Sequence, residues 1–394
     1  MGALFLIGVV GLGIARYSFG VVFDSLQGDF GWSRASTSGI FSAYMFLCPA
    51  FSILGGWAVD RYGPRKVFTA VGLFTGLGLL LTSQVTAPWH LFLTYSLLLA
   101  IGSGCIYVAS MATIYKWFVE RRGLALGIVS CGVGIGMMVM PPVVAYLISS
   151  YGWHTAYCII GLVAFFIMIP CALLVKNPPG EVAASLNGGG LENRTGGLSL
   201  VQAAKTRNFW LLIFVLLSFS TCFFSINTHI VPHALDLGIG SMPAALLLSC
   251  IGGGSILGRV ILGRISDSVG GKQAFLICAL LLMGTMLWFT KSSDLWMLYM
   301  CTAVFGFSFG GTAPVNAALI GENFGARHMG LIMAVIGIGW EAGAALGSIL
   351  AGYTFDISGS YIPAFIAGAI VTLIAVILII FLKTPSSYNE ASQE

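Results

Sequence analysis

Twelve apolar segments, each about as long as a helix needs to cross a bilayer, follow one another along a chain of 394 residues and leave no room for a sizeable water-soluble domain. They lie near residues 3–24, 35–59, 67–85, 88–116, 123–148, 154–175, 208–235, 243–264, 273–290, 295–320, 329–354 and 361–382. Inside lipid the backbone must satisfy its own hydrogen bonds, so segments of this length are expected to be helices. Charged residues make up 8% of the chain, against about 25% in soluble proteins, which excludes a soluble globular fold. The net charge of +4 is too thinly spread for a nucleic-acid footprint. The first segment has no basic leader or cleavage site and is expected to be a permanent span. All nine cysteines lie in apolar stretches without metal or redox spacing and read as small buried hydrophobes.

Polar punctuation divides the chain into an N-terminal six-helix bundle at 1–176, a linker at 177–207, a C-terminal six-helix bundle at 208–383 and a tail at 384–394. The linker holds Pro178-Pro179-Gly180 and Gly188-Gly189-Gly190, the composition of a flexible connection. With the amino terminus in the cytoplasm, all but four of the 18 basic residues fall on the inner side. Arg34 and Lys291 fall outside, and Arg16 and Arg259 lie within spans. This bias predicts a multi-pass plasma (inner) membrane protein with both termini cytoplasmic.

The two halves repeat. Gly56, Asp60, Gly63 and Arg65 after the second span match Gly263, Asp267, Gly270 and Lys272 after the eighth, each pair 207 positions apart. A second echo links Phe118-Val119-Glu120-Arg121-Arg122 with Phe324-Gly325-Ala326-Arg327-His328. Such duplicated halves characterise carriers that alternate access around a central site. An Asp at a helix end, followed by a glycine turn and basic residues, can bridge neighbouring helix ends. Gly56, Asp60, Arg61, Gly63, Arg65, Arg264, Asp267 and Lys272 are therefore candidates for a conformational latch. Their bland reading is a pair of solvated loops.

These loops resemble the signature loop of the major facilitator superfamily, and the resemblance covers the whole chain. Phe19-Gly20-Val21-Val22 with Phe30-Gly31-Trp32-Ser33-Arg34, and Lys116-Trp117-Phe118-Val119-Glu120-Arg121-Arg122-Gly123, resemble its monocarboxylate porter and oxalate/formate antiporter branch. The resemblance implies an all-α membrane protein of twelve transmembrane helices in two pseudo-symmetric bundles. It also implies an alternating-access carrier of a small organic anion, commonly coupled to protons.

Three charges lie inside spans: Arg16, Arg259 and Glu341. Each costs about 2.5–3.5 kcal/mol at the bilayer centre, so each is expected to face a cavity or a partner. A guanidinium can grip a carboxylate through two parallel hydrogen bonds and stays charged at any relevant pH. Resemblance places Arg259 where this branch has its substrate-carboxylate arginine. The animal proton-coupled carriers have an acid one turn earlier, where this chain has Ser255. Glu341 is the expected proton-coupling residue; its alternative is a fixed ion pair with Arg16 or Arg259. Two arginines against an ionised Glu341 leave one positive charge, suited to a monoanion; a protonated Glu341 leaves two, suited to a dianion or to an anion with a proton. Tyr17, Tyr107 and Asn227 are further candidates to line the substrate site, with His229 and Trp340 beside them. Pro232 is expected to loosen the seventh span.

His229 and His233 stand four apart but lack the glutamate of a zinc-protease helix, and no metal or cofactor is expected. Glycines 254 and 258, and 339, 343 and 347, have the spacing that lets membrane helices approach closely. No catalytic constellation points to an enzyme. The expected function is secondary transport of a small monocarboxylate such as lactate with proton symport, by a carrier that works as a monomer in the lipid bilayer. An oxalate/formate-type exchanger, an efflux carrier and a transporter-like receptor are the alternatives.

Overall fold

The computed structural model describes residues 1–17, 19–30, 34–118, 120–177 and 197–383. Most of the linker and the tail from 384 lie outside the described residues, as do the side chains of Arg16, Tyr17 and Arg34. Among the described residues ten helices are long and apolar enough to cross a membrane. One of these, Arg122–Leu174, is two spans joined at Gly152, whose φ of 77° turns the chain as a residue with a Cβ would resist. The helical stretch before Phe30 supplies the twelfth segment.

The chain forms two compact units. The first comprises Met1–Trp117, Ile128–Gly196 and Ala326–Ala334. Its opening helix is wound as a π-helix over Gly8–Leu12, and another such stretch covers Phe92–Leu98. Buried hydroxyls find partners across helices: Tyr44 Oη meets Ser103 Oγ at 2.7 Å, Ser96 Oγ donates to Ile40 O at 2.7 Å, and Tyr95 Oη donates to Ala15 O at 2.8 Å. Each would cost several kcal/mol if left bare in an apolar interior, by about the margin seen for unpaired amides.

The second unit comprises Phe118–Gly127, Gly197–Gly325 and Val335–Glu394. A short helix, Leu200–Ala204, opens its main segment with a reciprocal capping box between Ser199 and Gln202. The spans Arg207–Asp236, Ser241–Val269, Gly271–Phe289 and Leu295–Phe324 follow. The eleventh span, whose start up to Ala334 belongs to the first unit, is interrupted: Met329–Ile336 ends, Gly337 intervenes, and Ile338–Ser358 begins again in the second unit. Ile362–Ile380 completes the unit. The seventh span continues as one helix to Asp236 with Pro232 inside it, since neighbouring turns and packing tolerate a single missing N–H in a membrane helix.

Glycine spacing does its work in both units. Gly254 and Gly258 press on the backbone of Ala303 and Phe307, while Gly339, Gly343 and Gly347 press on the carbonyls of Ile213, Leu217 and Thr221. In the first unit Gly132 and Gly136, 207 positions before Gly339 and Gly343, lie against Phe5 and Val9 in the same manner.

Candidate functional site

The Ser241–Val269 helix carries Arg259 deep in the second unit, 7% exposed. A guanidinium so placed needs hydrogen-bond acceptors. Its Nη1 donates to Ser255 Oγ at 2.7 Å, and Ser255 Oγ donates to Gly252 O at 2.9 Å. Ser255 lies against Gly310 of the Leu295–Phe324 helix, next to Phe309. Phe309 stacks on Phe223 of the seventh span, centroids 3.7 Å apart, and lies 5.7 Å from the Trp340 ring of the eleventh.

Glu341 follows Trp340 in the first turn of Ile338–Ser358, just past the interruption at Gly337. The Trp340 and Glu341 amides both donate to Gly337 O, at 3.0 and 3.3 Å, and Ser220 Oγ donates to Trp340 O at 2.6 Å. A carboxylate beside the amino-terminal end of a helix segment is favoured by the exposed amide dipoles, and broken spans of this kind build binding sites in transporters. On the seventh span, Asn227 keeps a buried Oδ1 without a hydrogen-bond partner among the described residues. Further along, His229 Nδ1 is 3.3 Å from Tyr361 Oη, and the His233 ring packs edge-on against Phe365.

The structure thus assigns Arg259, Glu341, Asn227, His229 and Trp340 to one unit and Arg16, Tyr17 and Tyr107 to the other. Tyr107 is half-buried on Ile106–Trp117, just beyond a break in the fourth span at Gly104. The side chains of Arg16 and Tyr17 fall outside the described residues.

The repeated loops form two carboxylate-capped helix ends. In the first unit Asp60 Oδ2 accepts from Leu331 N at 3.0 Å, and its Oδ1 meets Lys116 Nζ at 3.1 Å. In the second, Asp267 accepts from Gly123 N at 2.6 Å and Leu124 N at 3.0 Å. Gly330-Leu331 and Gly123-Leu124 are again 207 positions apart, a continuation of the repeat that the loop motifs alone do not reveal. Close approach explains the glycines: Gly56 abuts the Gly330 carbonyl, and Gly263 abuts that of Gly123. Gly63 and Gly270 both take positive φ, 81° and 87°, to start the next helix. The remaining candidates are occupied differently. Arg61 lies over the Trp57 and Tyr62 rings, Lys272 donates to Ile380 O and Leu382 O, and Arg65 and Arg264 are exposed.

One further titratable group near the Asp60 cap is an imidazole. His328 sits in the turn between spans, where burial pushes its imidazole below the usual value. The cations Arg327 and Lys116 push the same way, and Asp60 opposes them.

The Major Facilitator Superfamily matches this sequence at residues 5–286 and 234–394. The chain belongs to that superfamily. Among its relatives, monocarboxylate transporter 13 of Bos taurus is 28% identical over 368 residues, covering 91% of this chain and 82% of the relative. Human monocarboxylate transporter 11 is 26% identical, covering 91% of this chain and 78% of the relative. The Escherichia coli fucose:proton symporter superposes with a TM-score of 0.74 at 15% identity, covering 97% of this chain and 98% of the symporter. The human organic anion transporter MFSD10 superposes with a TM-score of 0.72 at 15% identity, covering 96% and 98%. This superfamily member therefore has the major facilitator fold of twelve transmembrane helices in two pseudo-symmetric halves. It is a multi-pass membrane transporter, not an enzyme, related at low identity to monocarboxylate transporters.

Proposed function

We propose that this transporter carries a small monocarboxylate, of the size of lactate, by alternating access with proton symport across a plasma (inner) membrane, its termini cytoplasmic. The observation that carries the reading is Arg259, a permanently charged fork 7% exposed in a membrane-spanning helix. An arginine of that burial is retained at a cost of kilocalories unless an anion or fixed polar partners meet it. The monocarboxylate carriers among its relatives support the anion being a carboxylate. Two parallel N–H donors would hold the two carboxylate oxygens, with Arg16 supplying a second positive charge and Tyr107, Asn227 and Tyr17 directing the remainder of the substrate. Glu341 would take up the proton, its charge state setting whether the site holds a bare anion or an anion and a proton together. The capped helix ends at Asp60 and Asp267, with Gly56, Gly63, Arg61, Arg65, Arg264 and Lys272 around them, would stabilise one conformation of the cycle as a latch.

Counterflow of labelled L-lactate in proteoliposomes tests the reading. Saturable counterflow that is inhibited by other monocarboxylates and lost in Arg259→Ala is expected. Lactate entry that is linear with concentration, or an Arg259→Ala variant with unaltered counterflow, would remove it.

A further inference from the structure

We propose that Ser255 is a positioning residue: its hydroxyl fixes the direction and plane in which the Arg259 guanidinium meets a carboxylate. The inference rests on Arg259 being the substrate anchor. Residues four apart lie on one face of a helix, and side chains lean back toward its amino-terminal end, so the Arg259 stem passes over Ser255. The contact at 2.7 Å is therefore a product of spacing as well as chemistry.

A serine hydroxyl has one proton and two acceptor lone pairs. Here the proton is committed to Gly252 O at 2.9 Å, which leaves the lone pairs turned to Arg259 Nη1. The hydroxyl is thus an acceptor of fixed direction. Its backbone is fixed as well, because Gly310 of the Leu295–Phe324 helix packs against the Ser255 carbonyl and Cα. Gly254 and Gly258, on either side of it, are held by Ala303 and Phe307. The support that Ser255 gives the arginine therefore runs through two helices and ends on backbone atoms.

That support bears on affinity. An arginine side chain has several rotatable bonds, and any freedom it keeps in the empty carrier must be surrendered when a carboxylate binds. Orientation by Ser255 imposes that loss beforehand and keeps the fork in the plane that bidentate pairing needs. A hydroxyl also holds the cation without cancelling its charge, whereas a carboxylate at 255 would compete with the substrate for the same donors.

The test uses the full-length transporter and two readouts, one of which needs no substrate. Phenylglyoxal labelling of Arg259, followed by peptide mass spectrometry in detergent, reports how firmly the guanidinium is held. L-lactate counterflow in proteoliposomes reports KM and Vmax. Loss of one hydrogen bond to a charged group predicts that Ser255→Ala labels about tenfold faster and raises KM by about the same factor, with Vmax little changed. Ser255→Thr, which keeps the hydroxyl, should restore both, and Ser255→Cys, which keeps the size but accepts weakly, should behave as the alanine variant does. An alanine or cysteine variant that labels at the wild-type rate overturns the inference. Counterflow that survives Arg259→Lys unchanged would overturn the anchor reading instead, while the labelling rates still decide the role of Ser255.

Discussion

Arg259 and Glu341 are readable in the sequence because a charge within an apolar run costs too much to be incidental. Ser255 is not readable in that way. A serine in a membrane helix can satisfy itself on its own backbone, and its link to Arg259 emerges once the side chains are placed. At this scale two outcomes follow from chemistry. Arg259→Lys keeps the charge but replaces a planar fork with a point donor, so lactate affinity should fall about tenfold or more, measured as KM in counterflow. Glu341→Gln keeps the size and a polar end but cannot exchange a proton. Counterflow should persist in it, whereas accumulation driven by an inward proton gradient should vanish; retained accumulation would exclude Glu341 from coupling.

The helix ends show how the two copies of a repeat can diverge. Asp60 and Asp267 perform the same backbone capping, but only the Asp60 copy places a lysine against the carboxylate: 207 positions after Lys116 the chain has Asn323, bonded to Asn208. The Asp60–Lys116 side chains are 5% and 12% exposed. Removing one partner of a buried pair leaves the other uncompensated, typically at about 3–5 kcal/mol. Asp60→Asn should therefore lower the melting temperature by several degrees more than Asp267→Asn, measured side by side by thermal unfolding in detergent. The loops that supply these aspartates were legible from their repetition. What they cap was not, because a backbone N–H at a helix start looks alike for every residue. The identical Gly-Leu pairs are the residual clue. His328 adds a pH dependence to the first copy. Its imidazole is held below its ordinary range, so the folded state favours the neutral ring. That contribution is present above the ordinary histidine pKa and is lost as pH falls through the lowered value. Thermal stability should decline on acidification below the usual imidazole range, and His328→Gln should flatten that part of the profile; an unchanged profile would refute it.

At the scale of the whole molecule, the twelve spans, the repeat and the transporter class are all legible in the sequence, because bilayer thickness and backbone satisfaction leave a chain of this composition few alternatives. The interruptions at Gly337 and Gly104 were not, since an isolated glycine in an apolar run is compatible with an unbroken helix. A monoanion moving with one proton transfers no net charge. Lactate-driven currents on a supported membrane should then be negligible under conditions where labelled lactate moves; a sustained current would indicate a different stoichiometry. The repeat also has a consequence for how the protein is made. Asp60 leaves the ribosome 271 residues before Leu331, the amide it will cap, but only 56 before Lys116. Asp267 meets amides synthesised 144 and 143 residues earlier. The early aspartate must wait in a half-finished protein, and it is the one that brings its own counter-charge; the late one arrives to a partner already in the membrane.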